Sequence, residues 1–134
     1  MIPKFRVWLP DPDVERMLRV KALVFEHDKT RCVCGYAYDF YLEDEDATLM
    51  QSTGLKDKNG KEIFEGDVIA IEVDDTGTPI NARVFQNSKI GVLMFHVFED
   101  NEDVPMVELL EDNSVAFEII GNIYENPELL EVTE

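Results

Sequence analysis

Apolar side chains in this chain recur at every second residue over short runs, and clusters of turn-forming residues separate the runs. Phe5, Val7 and Leu9 alternate with Lys4, Arg6 and Trp8, and Leu18, Val20, Ala22 and Val24 alternate with Arg19 and Lys21. In "RCVCGYAYDFY", Cys32, Cys34, Tyr36, Tyr38 and Phe40 share one face, with Val33, Gly35, Ala37 and Tyr41 opposite. A two-residue period belongs to an extended strand, whose successive side chains point to opposite faces. Residues 68–73, 80–84, 90–98, 104–110 and 115–123 repeat it, joined by connections of hairpin length. Nothing supplies the long helices that a parallel sheet needs between its strands. The fold class is therefore mainly β: six to eight short strands in a small curved antiparallel barrel or sandwich. Residues 50–124 form its compact core, and residues 4–41 add strands beside it. Short helical turns are predicted at 12–17, where Asp11 caps ahead of Pro12, and in "NPELLE" at 126–131.

At 134 residues the chain suits a single domain, with a subdomain at 1–48 and a β-barrel core at 49–134. Its 45% hydrophobic content supplies a core even at a net charge of -17. No apolar run reaches membrane-spanning length, and "MIPKFRVWLPDPD" lacks the apolar core of a signal peptide, so a cytoplasmic protein with no membrane role is expected.

"GLKDKNGKEIFEGDVI", residues 54–69, invites a nucleotide reading that its spacing rejects. A phosphate-binding loop has four residues between its first glycine and Gly-Lys, then Ser or Thr for magnesium. Here five separate Gly54 from Gly60-Lys61, and Glu62 stands in the hydroxyl position. Asn59-Gly60 instead predicts a tight hairpin turn with φ > 0 at both residues, and Gly66 a second turn before the strand that starts at Asp67.

The remaining candidates for chemistry are sparse. Cys32 and Cys34 are one residue apart, closer than paired zinc ligands, and a set completed by His27 and His96 demands unusual geometry. Free, buried thiols are expected. His96 sits in an apolar strand with no nucleophile elbow in the chain, and reads as a satisfied, partly buried histidine. The acidic clusters "EDEDA" (43–47) and "EDNED" (99–103) lack the glycine of a calcium loop. No catalytic, cofactor-binding or metal-binding residue set is therefore assigned, and no cofactor is expected.

Charge bounds the partners. Residues 99–134 hold twelve carboxylates and no Lys or Arg, a field that repels nucleic-acid backbones. Arg6, Arg19, Lys21 and Arg31 form a modest basic set in the first third, with Trp8, Tyr36 and Tyr38 as stacking candidates, but the whole-chain field argues against direct nucleic-acid binding. Self-association is expected, with Trp8, Tyr36 and Phe40 as interface material.

The blocks "KFRVW" (4–8), "LMQSTGLKDKNGKEIFEGDVI" (49–69) and "FEIIGNIYENPELLE" (117–131), in that order, resemble the YopX family of phage and prophage proteins. The resemblance carries no biochemical activity to transfer. It implies a protein encoded in bacteriophages and integrated prophages of low-GC Gram-positive bacteria. Its signature residues, Gly54, Leu55, Asp57, Asn59, Gly60, Glu65, Gly66 and Asp67 with Gly121, Asn122, Tyr124, Asn126 and Pro127, are mostly what turns and packed strand ends require. "LPDPDVERML" departs from the family's usual turn there and leaves the start of the second strand open. "EGDVI" (65–69) is similar to the opening strand of SH3-like barrels, a likeness of shape only. The expected function is that of a noncatalytic phage or prophage accessory protein acting on phage or host proteins. The alternatives are an acidic nucleic-acid mimic that blocks a host nucleic-acid-binding protein, and a divalent-metal-assisted hydrolase built from surface carboxylates.

Overall fold

A computed structural model describes residues 4–10, 15–35, 39–73, 77–111 and 115–130. They form two compact units, residues 1–52 and 53–134, built almost wholly from antiparallel strands.

In the first unit, β1 (Phe5–Pro10) pairs on one side with β2 (Glu15–Arg19) and on the other with the start of β6 (Thr48–Lys56). β1 is paired along both edges, and Val7, Trp8 and Leu9 are consecutive buried residues, so both of its faces are covered. Trp8 is thus core rather than interface or stacking surface. A separate three-stranded sheet contains β3 (Ala22–Phe25), β4 (Thr30–Val33) and β5 (Asp39–Tyr41), in that order. The β3–β4 hairpin closes where Glu26 N–H donates to the Lys29 carbonyl at 2.9 Å. The expected strand through 18–24 is two strands in two sheets, with the break at Val20-Lys21. The helical turn expected at 12–17 is overturned from Glu15 onward, where β2 begins; residues 11–14, like Tyr36 and Tyr38, lie outside the described residues.

β6 runs through the boundary between the units, and its later residues lie beside β7 (Glu62–Phe64). The second unit is a curled five-stranded sheet in the order β11-β10-β9-β8-β12. Its strands are β8 (Asp67–Val73), β9 (Ile80–Asn87), β10 (Val92–Val97), β11 (Glu102–Pro105) and β12 (Val115–Asn122). One face follows the two-residue period: Ile69 and Ile71, Ala82 and Val84, and Phe95 and Val97 pack with Ile63 and Met106 into the core. Burying one large aliphatic side chain there contributes about 1.5–3 kcal/mol. The register of β12 on β8 shifts between Ile119 and Gly121, a bulge that bends the strand.

The strand expected over 104–110 is corrected. After Pro105 the chain turns into a helical turn, α1 (Val107–Leu110), anchored by Met106 N–H on the Leu93 carbonyl at 2.9 Å. Met106 and Leu109, three apart, pack on the core, whereas Val107 and Leu110 are exposed. The period has changed from two to three or four, as a helix requires. A 3-10 turn at Pro127–Leu130 realises the helical end expected in "NPELLE".

Candidate functional site

The loop 54–69 is a hydrogen-bonded scaffold. Gly60 N–H donates to the Asp57 carbonyl and Asp57 N–H to the Lys61 carbonyl, both at 2.9 Å. Gly60 has φ +80°, but Asn59 is not among the positive-φ residues, so the doubly left-handed turn expected at Asn59-Gly60 is corrected. The shape is a three-residue loop, a β-turn over 57–60 that ends in one left-handed glycine. The reason lies in Asp57, which is buried at 7% exposure. Its Oδ1 accepts the amides of Asn59 at 3.0 Å and Lys61 at 2.9 Å, and its Oδ2 accepts the amide of Ile119 at 3.0 Å. The aspartate side chain, rather than the asparagine, thus fixes the turn. Burial pushes this carboxyl pKa up, but the amides of Ile119, Lys61 and Asn59, with the Lys61 charge, outweigh it and hold the pKa below its ordinary value. Open space surrounds a β-carbon added at Gly60, so Gly60→Ala costs only the left-handed backbone, about 1 kcal/mol by denaturant titration.

The second glycine turn is held in the same way. Asp67, 2% exposed, accepts the Phe64 amide on Oδ2 at 2.8 Å. Gly66, at φ +87°, donates to the Val84 carbonyl and accepts from the Ile123 amide, each at 2.9 Å. Asn122 organises the C-terminal block: its Oδ1 accepts the amides of Tyr124 and Glu125, and its Nδ2 donates to Glu125 Oε1 at 2.8 Å. Asn126 Oδ1 accepts the Asn122 amide at 3.2 Å and fills the space beside Gly121, where a β-carbon would approach it to 2.5 Å. Lys58 N–H to the Phe117 carbonyl, Ile119 N–H to Asp57 and Ile123 N–H to Gly66 join the two blocks directly.

The reactive side chains are each engaged locally. Cys32 is buried and Cys34 half-buried, with their sulfurs 3.8 Å apart. Burial, then the neighbouring Cys34, pushes the Cys32 thiol up to about 12, and burial raises Cys34 as well. Little thiolate exists at neutral pH, so an aromatic disulfide reagent at pH 8 reacts with the native protein far more slowly than with the urea-unfolded chain. Equal rates would contradict this assignment. His96 lies opposite Asp103 across β10 and β11, with Nδ1 2.6 Å from Oδ1. His27 is 98% exposed on the β3–β4 turn, beside Asp28. Among the described residues, no three His, Cys, Asp or Glu side chains converge. In "EDEDA", Glu43 accepts the Thr30 amide at 2.6 Å and Asp44 pairs with Lys29 at 2.9 Å. "EDNED" supplies the β10–β11 turn, with Asn101 at φ +52°.

The basic set divides. Arg31 lies 3.9 Å from Glu26 and 3.7 Å from Asp39. Arg19 and Lys21 join Lys4 around a groove of about 640 Å³, together with Phe5, Leu23 and Phe25. Lys4 and Phe25 carry no such signal in the sequence; they meet Arg19 and Lys21 only once the chain has folded.

Fold and site together describe a mainly β protein with antiparallel sheets whose matched blocks are turn and bulge scaffolding. Residues 4–131 match the family model described as YopX protein, and the chain belongs to the YopX family. The crystal structure of YopX from Bacillus subtilis is similar, with TM-score 0.63 and 22% identity over 96% of this chain and 98% of that one. A crystal structure of EF1440 from Enterococcus faecalis is similar with TM-score 0.51 and 25% identity, covering 98% and 99% of the two chains. Among curated proteins, no relative matches.

Proposed function

We propose that the chain is a noncatalytic accessory protein of a phage or prophage, acting in the bacterial cytoplasm through contacts with phage or host proteins and with copies of itself. The observation that carries this reading is the use of the family-matched polar residues. Asp57, Asp67, Asn122 and Asn126 spend their side chains on backbone amides rather than on an open cleft. Among the described residues, no helix is long and apolar enough to cross a membrane. Exposed Ile90 and Val107 offer apolar contact to other proteins. Self-association through such contacts works against like charge, so light scattering is expected to report a larger species as salt is raised. A monomer at both low and high salt would contradict it.

Residues 53–134 carry nineteen of the 29 acids and five of the 12 bases, which favours the acidic mimic as a second reading. Affinity capture from host lysate, read by mass spectrometry at low and high salt, separates the two. A salt-resistant phage or host protein supports the accessory role. A DNA-binding protein lost at high salt and displaced by DNA supports the mimic. Metal-dependent turnover that disappears when clustered carboxylates are changed in a folded variant would overturn both in favour of a hydrolase.

A further inference from the structure

The residues of β3, Ala22-Leu23-Val24-Phe25, make an unguarded strand edge. β3 ends its sheet, with β4 as its single strand neighbour among the described residues. Edge strands are ordinarily blunted by charged side chains, proline or a bulge, and β3 carries none of these. Phe25 is instead 81% exposed, more than any other large apolar side chain among the described residues. The direction of the main chain follows from register. Glu26 N–H donates to the Lys29 carbonyl, so Glu26 faces β4, and alternation along the strand turns Val24 toward β4 and Leu23 and Phe25 away from it. The side chains of Leu23 and Phe25 share one face and, with Phe5 and Val20, line the groove of about 640 Å³.

We propose that a second copy of the chain covers this edge, its β3 pairing antiparallel with β3 about a two-fold axis at Val24. A two-fold pairing must bring outward-facing main-chain groups of one copy against those of the other. Centred on Leu23 it would set Phe25 opposite Lys21, and centred on Phe25 it would set Leu23 opposite His27. Centred on Val24 it sets Leu23 of each copy opposite Phe25 of the other, in hydrogen-bonded pairs that cover both phenylalanines with apolar surface. The two three-stranded sheets then join into one, and an isologous contact closes both open edges at once. Charge favours approach through this unit. Residues 1–52 hold ten acids and seven bases, whereas residues 53–134 hold nineteen and five, so repulsion between copies is weakest where first unit meets first unit. The proposal rests on the self-association in the reading above and names its surface.

The test is sedimentation of the full chain over a range of concentrations, joined to cross-linking. A dimer is expected for the parent chain, with its association weakened on the order of tenfold in Phe25→Glu and in Phe25→Pro. Proline removes an N–H that faces away from β4, so the hairpin keeps its bonds, and thermal melts check that both variants fold. On the axis, Val24 stands opposite Val24 of the copy in a non-hydrogen-bonded pair, with Cα atoms about 4.5 Å apart and within disulfide reach. Val24→Cys should therefore form a covalent dimer under mild oxidation. Ala22→Cys, which faces Glu26 of the copy, should not, and neither should the parent chain with its Cys32 and Cys34. Association unchanged in both Phe25 variants, or equal cross-linking at positions 22 and 24, would overturn the edge assignment and leave self-association through another surface standing. A parent chain that stays monomeric at low and high salt would overturn the pairing and self-association together. A lysate protein held by the parent chain and lost in folded Phe25→Glu, without any dimer, would overturn the proposal in favour of a foreign strand.

Discussion

Asp57→Ala is expected to lose about 3 kcal/mol of folding stability, because it leaves three backbone donors in a part-buried site without their charged acceptor. Urea titration should show a lower midpoint at an unchanged slope, since the surface exposed on unfolding is the same. The effect exceeds that of an ordinary turn residue because Asp57 binds two elements. Oδ1 closes the β6–β7 turn, and Oδ2 holds the amide of Ile119 beside the β12 bulge. The same geometry gives a pH dependence. The folded carboxyl pKa is held below its ordinary value, so its stabilisation is fully present above about pH 4 and is lost as pH falls through the folded value. Asp57→Asn, which cannot ionise, should flatten that part of the acid limb. A loss below about 0.5 kcal/mol in Asp57→Ala would contradict the assigned role.

Asn122→Ala is expected to cost about 2 kcal/mol. Asn122 is 7% exposed, and its side chain accepts two amides and donates to Glu125, fixing the turn after β12. Asn122→Asp keeps the acceptor but replaces the donor with a carboxylate facing Glu125, and should recover only part of the loss near neutral pH. Recovery should improve as pH falls and carboxylates protonate. Equal stability of Asn122→Ala and the parent in urea would show that the turn is held by backbone contacts alone.

The sequence was most legible where a strand has one face in the core and one in water. Ala82 and Val84 in β9 follow that rule, buried beside exposed Asn81 and half-buried Arg83, and the strand lies where the alternation places it, whereas Val68, Ile69, Ala70 and Ile71 in β8 are buried on both faces. It misled where a tertiary contact sets the local state. Val104 to Leu110 looks extended until Met106 docks its amide on Leu93 and turns the chain into α1. The Asn59-Gly60 signal predicted two left-handed residues, but the Asp57 carboxylate already binds the Asn59 amide and leaves the left-handed position to Gly60. Residues 18–24 read as one strand because alternation does not report a change of sheet. The groove was half visible, since Arg19 and Lys21 stood out as basic. Their meeting with Lys4, and the separation of Arg31 toward Glu26 and Asp39, depend on register and on side-chain neighbours.

Residues that build the fold are distinct from those that meet a partner, and affinity capture by folded variants tests that separation most directly. Asp57→Asn, Gly60→Ala and Asn122→Ala are each held at a temperature where melts show them folded, and the proteins they retain from a host lysate are quantified by mass spectrometry. The prediction is that every folded variant retains the same partners in the same amounts as the parent chain. A variant that is fully folded yet loses a partner would show that its turn is itself a binding surface, and would contradict the scaffold assignment.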